Sequence, residues 1–576
     1  MRKVKGSASA LPRRVLIIGL DAAALNLVQP WVEQGLLPNI ESFFAHGAVG
    51  PMRSVVTQCS AAAWSSMVTG VNPGKHGLYW FTLDKPGTYE QTYVNASYRH
   101  GRTLWRRLSD AGMCVGAINV PISYPAEEVN GFVIAGIDAP GVHATGFTYP
   151  QDLAAALRAR VGEYTIEPGI PSWFKVGKVD AAVEMLHTAI AQRYAYTHHL
   201  METTPWDFLM VVFRTTDPAQ HFFWKYMSPQ GFQVDSEDVG RYSSVILDVY
   251  RQLDAIIGEL VELAGSEAAV FLVSDHGGIA CDKRNGVLPY WLEHLGFMRR
   301  SSPLPGLGKR IRGAVTHIQR SAYRQLDRRA TRPLKLLLAT RLPGLRRRAE
   351  ASLWYRGVDW SSTRAYCDGK RSDIWVNLMG RQPQGVVEPG AEYERVRDEV
   401  IHALMSPRDP ETGEPFAWAV YRREEIYHGP YVERSPDLVV AWNRDTDIGR
   451  LELGDLTGAD VRRRVESEDL MISLISGAHD RDGLVALKGP GIMTGARIRG
   501  AHLLDVAPTV LYLLGQPVPA EMDGRVLRDV IAPETLAKNP VRMQAEGEDP
   551  VGIDTGYSED EARVVGERLR GLGYVD

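Results

Sequence analysis

The sequence predicts an α/β protein whose mostly parallel sheet is covered by helices on both faces. Three observations carry that prediction. Short apolar runs recur without polar alternation, as strands buried on both faces do. Helical stretches separate them, the alternation that parallel strands need for their crossovers. Several runs end on Asp or His, and in such sheets functional groups gather beyond the carboxyl ends of the strands.

The elements follow in order. VLIIGLD (Val15–Asp21) is the first strand and stops on Asp21. Helices are expected over Pro38–His46 and Arg102–Ala111, with a helix-favouring run at Ala61–Ser66 directly after Ser60. CVGAINV (Cys114–Val120) is the next strand, followed by helices over Gln151–Arg160 and Val179–Met201. LMVVFRTTD (Leu209–Asp217) and VFLVSDHGG (Val270–Gly278) are strands with a helix, Ser243–Ala264, between them. LVVAW (Leu438–Trp442) is read as a further strand of the same kind. The tail after Ile531 is polar until Ser558–Tyr574, one amphipathic helix ending at Gly571 or Gly573, with Ser558 and Glu561 as its capping box.

Composition narrows the function. The 576 residues are 44% hydrophobic and 23% charged, which excludes disorder as the main state. The 65 Lys and Arg against 69 Asp and Glu argue against a basic nucleic-acid binder. Cys59, Cys114, Cys281 and Cys367 lie far apart, so neither a disulfide scaffold nor a thiolate zinc site is expected. The apolar run at Val15–Leu20 is too short for a secretory signal, and no run of 18 apolar residues marks a membrane span. A cytoplasmic protein is the expectation. Residues 299–348 differ from the rest: they hold fifteen Lys and Arg, with Asp327 the only acid among them. They read as a helical insertion, either a solvated basic face or one that attracts an anionic substrate or membrane surface.

One motif fails on inspection. GVNPGKHG (Gly70–Gly77) has three residues between its first two glycines, and His76 stands where a P-loop needs Ser or Thr. A set of carboxylates and imidazoles does better. Asp217 and His221 are one helical turn apart; Asp21 and the pair Asp275-His276 end strands; His479 sits between glycines in SGAHDRDG. Each alone has a plainer reading as a cap, a turn residue or a surface pair. Together, Asp and His ligands without thiolates suit Zn²⁺ or Mn²⁺. Ser60, ahead of a helix, is either an N-cap or a hydroxyl directed at an anion. Arg214 is either a charge for the substrate or a structural partner of a nearby acid.

Asp21 after a strand, Ser60 before AAAWSSMVTG, then NPGKHG, then Asp217, His221, Asp275, His276 and His479 in that order resemble the alkaline phosphatase superfamily. The branch is the type I phosphodiesterase/nucleotide pyrophosphatase family, and the resemblance spans about residues 13–530. It implies an alkaline-phosphatase-like three-layer α/β sandwich with a helical cap. The catalytic core would be residues 13–282 and 359–530, the basic cap 283–358, and the tail 531–576. It implies hydrolysis of small phosphate esters, more diesterase than monoesterase, with Ser60 as nucleophile. Asp217, His221 and His479 would hold one metal; Asp21, Asp275, His276 and Ser60 would hold the other. The two divalent ions would be zinc or, failing that, manganese. A phosphomonoesterase or metal-dependent phosphomutase of the same superfamily, and a non-catalytic phosphate-ester binder, are the rival readings. Arylsulfatases place Pro and Arg where this chain has Ala62 and Trp64. Nucleotide-hydrolysing relatives carry Thr at the nucleophile and a later Asn; this chain has Ser60 and no Asn before Asn72, a departure that bears on nucleotide specificity.

Overall fold

The apolar run that opens the sequence becomes a central strand. In the computed structural model, which describes residues 11–300, 355, 357–468, 470–545 and 556–575, Arg14–Leu20 pairs in parallel with Phe208–Phe213 and with Ala268–Val273. Side chains alternate across this strand. Val15 and Ile17 join the apolar cluster of one face, with Trp64, Trp105 and Leu511. Leu16, Ile18 and Leu20 join that of the other, with Phe43, Phe222 and Leu253. No polar residue interrupts the strand between Val15 and Leu20 because both faces are covered.

Around it lies a ten-stranded mixed sheet. Val115–Val120 and Gly131–Ala135 continue the parallel pairing beyond Phe208–Phe213. On the other side Asp482–Lys488 runs antiparallel to Ala268–Val273 and pairs in turn with Ala48–Arg53. Helix Val245–Ala264 shows why the flanking layers form. Val245, Val249, Leu253, Ile256 and Leu260 are buried at spacings of three and four, giving the helix one apolar stripe against the sheet.

The helices read as Pro38–His46, Val179–Met201 and Ser243–Ala264 are found at Pro38–His46, Val179–Thr203 and Val245–Ala264. One strand is corrected. Leu438–Trp442 is not in the central sheet but in a separate four-stranded antiparallel sheet with Asp373–Val376 and Ala417–Arg422. An apolar run of five residues cannot reveal which sheet it joins. This second sheet has its own core, in which Val287, Leu288 and Trp291 of helix Arg284–His294 pack with Ile374, Val400 and Leu438. The basic stretch 299–348 lies almost wholly outside the described residues. Helix Glu559–Leu572 has the Ser558–Glu561 capping box and ends at Gly573, whose φ of 84° is the left-handed cap that favours glycine. No helix among the described residues is long and apolar enough to cross a membrane.

Strand direction brings distant residues to one edge. Arg14–Leu20, Phe208–Phe213 and Ala268–Val273 are parallel neighbours, so their carboxyl ends deliver Asp21, Asp217 and Asp275-His276 side by side. Asp482–Lys488 runs the other way, so its amino end brings His479 to the same edge. A short antiparallel ribbon completes the alignment, with Gly277 opposite Asp480 and Gly278 opposite His479. A Cβ on Gly277 would lie 2.2 Å from the carbonyl oxygen of Asp482. Gly277→Ala is therefore expected to push this ribbon away from strand Asp482–Lys488 and lower stability by about 1–3 kcal/mol. The check is thermal unfolding: an unchanged Tm would show that the ribbon tolerates the methyl group.

Candidate active site

Three histidines at this edge are oriented by the backbone. Nδ1 of His221 is 2.8 Å from the Gly477 carbonyl, Nδ1 of His479 is 2.7 Å from that of Gln58, and Nδ1 of His276 is 3.0 Å from that of Gly277. A carbonyl can only accept, so each Nδ1 carries the hydrogen, and in the neutral imidazole each Nε2 keeps its lone pair. Those lone pairs converge. His221 Nε2 lies 3.0 Å from His479 Nε2, and the two lie 3.0 and 3.4 Å from Asp217 Oδ1. His276 Nε2 lies 3.3 Å from Ser60 Oγ, 3.6 Å from Asp21 Oδ1 and 3.3 Å from Asp275 Oδ2.

Donor atoms of Asp217, His221 and His479 all lie within 4.8 Å of one another, as do those of Asp21, Asp217 and His276. All seven residues singled out in the sequence thus meet in one cluster. The grouping differs in one respect: Asp217, not Asp275, completes the second compact set, while Asp275 stands against His276. Ser60 is the first residue of helix Ser60–Thr69 and fully buried; the N-cap position belongs to Cys59, so the capping reading of Ser60 is corrected. Arg214 resolves as a partner of acids. It is buried and lies 3.1 Å from Asp21, 2.9 Å from Glu167 and 3.6 Å from Asp217. Asp480 and Asp482 pair with Arg444 and leave the orientation of His479 to Gln58.

The cluster is short of positive charge. Asp21, Asp217 and Glu167 share the guanidinium of Arg214, and buried Asp275 has no arginine or lysine ion pair among the described residues. Burial, reinforced by the Asp275 carboxylate, pushes Asp21 up to about 7 despite Arg214. Burial pushes Asp275 to about 7 as well. Burial also works against ionised Asp217, but the His221 and His479 imidazoles outweigh it and hold that carboxyl well below its usual range. Burial opposes a charged His221, yet Asp217 raises it. Burial and the nearby His276 hold His479 down to about 4. Asp217 Oδ1 and Asp275 Oδ2 are buried and have no hydrogen-bond donor among the described residues. Acceptor lone pairs aimed at one another, with unpartnered carboxylate oxygens beside them, are the donor set that divalent cations complete. Oxygen and imidazole ligands without sulfur fit zinc or manganese.

Several contributors escape sequence reading. Trp64 Nε1 donates to Asp21 Oδ2 over 3.4 Å, and the Thr216 hydroxyl donates to the Asp21 carbonyl over 2.5 Å. The Ala22 amide donates to Asp275 Oδ1 over 3.3 Å. Ala22 and Gln58 hold left-handed φ angles of 61° and 47°, strained for non-glycine residues, and both serve the site through their backbone. Only Trp64 and Thr216 could have been found, as neighbours of Ser60 and Asp217. A cavity of about 500 Å³ opens over the cluster. His221, His479, Gln58, Trp80, Trp442 and Arg371 are among the residues that line it.

Comparison with known proteins gives a family. A family model described as type I phosphodiesterase / nucleotide pyrophosphatase matches residues 15–463. No curated protein matches the chain. Similar solved structures include human ectonucleotide pyrophosphatase / phosphodiesterase 5, at 12% identity and a TM-score of 0.46, covering 90% of this chain and 99% of that one. Another is phosphonoacetate hydrolase from Sinorhizobium meliloti 1021 in complex with phosphonoformate, at 13% identity and a TM-score of 0.43, covering 87% and 95%.

The charge shortage predicts how the cation-free chain responds to pH. Asp21 and Asp275 keep their protons up to about pH 7 when folded, against about 3.9 when unfolded. The folded state therefore binds more protons, and that stabilisation is lost as pH rises through 7; raised His221 acts in the same direction. In chelator, Tm is expected to fall between pH 6.5 and 8, and saturating Zn²⁺ or Mn²⁺ to remove the fall. A chelated Tm that rises over this window contradicts the assignment.

Proposed function

The chain belongs to the type I phosphodiesterase / nucleotide pyrophosphatase family, a branch of the alkaline phosphatase superfamily, and from that membership we propose a two-metal phosphodiesterase with Ser60 as its nucleophile. It is a hydrolase acting on phosphoric ester bonds. The observation that carries the finer reading is the convergence of Ser60 with three histidine lone pairs and unpartnered carboxylate oxygens. Asp217, His221 and His479 would hold one cation; Asp21, Asp275, His276 and Ser60 would hold the other, with Asp217 between them. Two zinc ions, or manganese in their place, would supply Lewis acidity and neutralise charge on the phosphoryl group.

The residues account for the rest. The Ser60 oxygen lies 3.3 Å from His276 Nε2 and 3.5 Å from Asp21 Oδ1, inside the donor set that would hold the second cation, and a cation there would make its proton easier to lose and leave its oxygen as the attacking group. Attack forms a bond from Ser60 Oγ to phosphorus and expels the alcohol; water then cleaves that bond and restores the hydroxyl. The amides that open helix Ser60–Thr69 favour an anion beside the serine. Arg214 contacts Asp21 and Asp217 from behind and limits how far both can turn. The cavity offers aromatic walls and room for a second ester substituent, which supports a diester over a monoester. Four unpaired cysteines support a cytoplasmic location.

Ser60→Ala is expected to lower turnover of bis-p-nitrophenyl phosphate by about 10³-fold or more while leaving metal content unchanged. Retained turnover with both metals bound would remove Ser60 from its role. Comparing bis-p-nitrophenyl phosphate, p-nitrophenyl phosphate and p-nitrophenyl sulfate before and after chelation tests the reaction class. Chelation should abolish activity, and Zn²⁺ or Mn²⁺ should restore it. Preference for the monoester would favour the phosphomonoesterase reading, and full activity without metal would exclude both.

A further inference from the structure

Asp217 has two oxygens with different surroundings. Oδ1 faces His221 Nε2 and His479 Nε2 and has no hydrogen-bond donor among the described residues. Oδ2 faces the hydroxyl of Tyr574 at 2.9 Å and the guanidinium of Arg214 at 3.6 Å. The hydroxyl has one hydrogen. Arg214 Nη2 can only donate and lies 3.2 Å from the Tyr574 oxygen. That oxygen therefore accepts from Arg214, and its hydrogen goes to Asp217 Oδ2. Arg214, Tyr574 and Asp217 form a one-directional chain that ends on the carboxylate.

Tyr574 is held in place from several sides. Val565, Leu569 and Leu572 bury one face of helix Glu559–Leu572 in the core. Arg568 donates to the Ile137 carbonyl over 2.6 Å, and the Tyr557 hydroxyl donates to that of Asp138 over 2.7 Å. Gly573 then turns the chain toward the strand ends. There the Trp80 indole donates to the Tyr574 carbonyl over 2.8 Å, Lys370 Nζ donates to the Val575 carbonyl over 2.6 Å, and the Tyr574 ring packs 4.9 Å from that of Phe81. A residue needed only to fill the wall would not require its hydroxyl placed between a guanidinium and a carboxylate.

We propose that Tyr574 is a positioning residue for Asp217: its hydroxyl anchors Oδ2, keeps Oδ1 turned toward His221 and His479, and so sets the affinity of the cation those three residues hold. The proposal rests on the two-metal reading above. Rotation about the last side-chain torsion of Asp is soft. Without the hydroxyl, only Arg214 at 3.6 Å restrains the carboxylate, which is then free to turn Oδ1 toward the guanidinium and away from the imidazoles.

The test uses the full chain as wild type, Tyr574→Phe and Tyr557→Phe. Zn²⁺ and Mn²⁺ affinities are measured by competition with a chromophoric chelator, Tm with and without metal, and bis-p-nitrophenyl phosphate turnover across metal concentration. Tyr574→Phe should bind one of its two cations about 10–100-fold more weakly, the loss typical when a ligand's own partner is removed. Excess metal should recover its turnover. Tyr557→Phe, which loosens the same segment without touching Asp217, should lower Tm and keep wild-type affinity. Equal affinities in wild type and Tyr574→Phe overturn the positioning role alone. A wild-type chain that binds neither cation overturns this proposal and the two-metal reading together. If Tyr574→Phe does not fold, Tyr574→Met takes its place. It too lacks the hydroxyl, and an unchanged cation affinity there overturns the proposal.

Discussion

Uncompensated negative charge, buried where three parallel strands end, governs the architecture around it. Asp21, Asp217 and Asp275 cannot reach water, and the one guanidinium within contact is shared between two of them and Glu167. Burying charge without a partner is costly, so the surroundings answer with every donor available. Trp64, Arg214 and the Ala22 amide turn hydrogens toward the carboxylates. Two residues accept left-handed backbone angles at the same edge, Ala22 to place its amide and Gln58 with its carbonyl on His479. What stays unanswered is as informative: Asp217 Oδ1 and Asp275 Oδ2 have no hydrogen-bond donor among the described residues, and groups of Asp and His there could hold a cation.

Much of this was legible in the sequence. Asp21, Asp217 and Asp275 each end an apolar run, and a parallel sheet gathers such ends on one side. The i and i+4 spacing of Asp217 and His221 follows from the helix they share. His479 was legible from its glycine flanks, although its alignment with His276 depends on a ribbon of four residue pairs. The contributions of Gln58 and Ala22 were not legible, because they act through backbone atoms whose position no side-chain pattern encodes. Nor was the second sheet. Leu438–Trp442 has the apolarity of a central strand, and only its partners reveal where it belongs.

Arg214 illustrates how one residue type supports two readings until geometry decides. From the sequence it could have met the substrate or a neighbouring acid. Its burial beside Asp21 and Glu167 gives it the second role. That role still bears on the site, since a fixed guanidinium behind two carboxylates limits how far they can turn.

The span of the site along the chain has a consequence for folding. Its parts run from Asp21 to Tyr574, and the contact between Asp217 and Tyr574 joins helix Thr216–Met227 to the segment just past helix Glu559–Leu572, far apart in order. Contacts of such sequence separation form late, after the entropy of closing the intervening loops has been met. The sheet can assemble and still lack a fixed Asp217. Order at the Asp217 carboxylate thus waits on the docking of segments 357 residues apart.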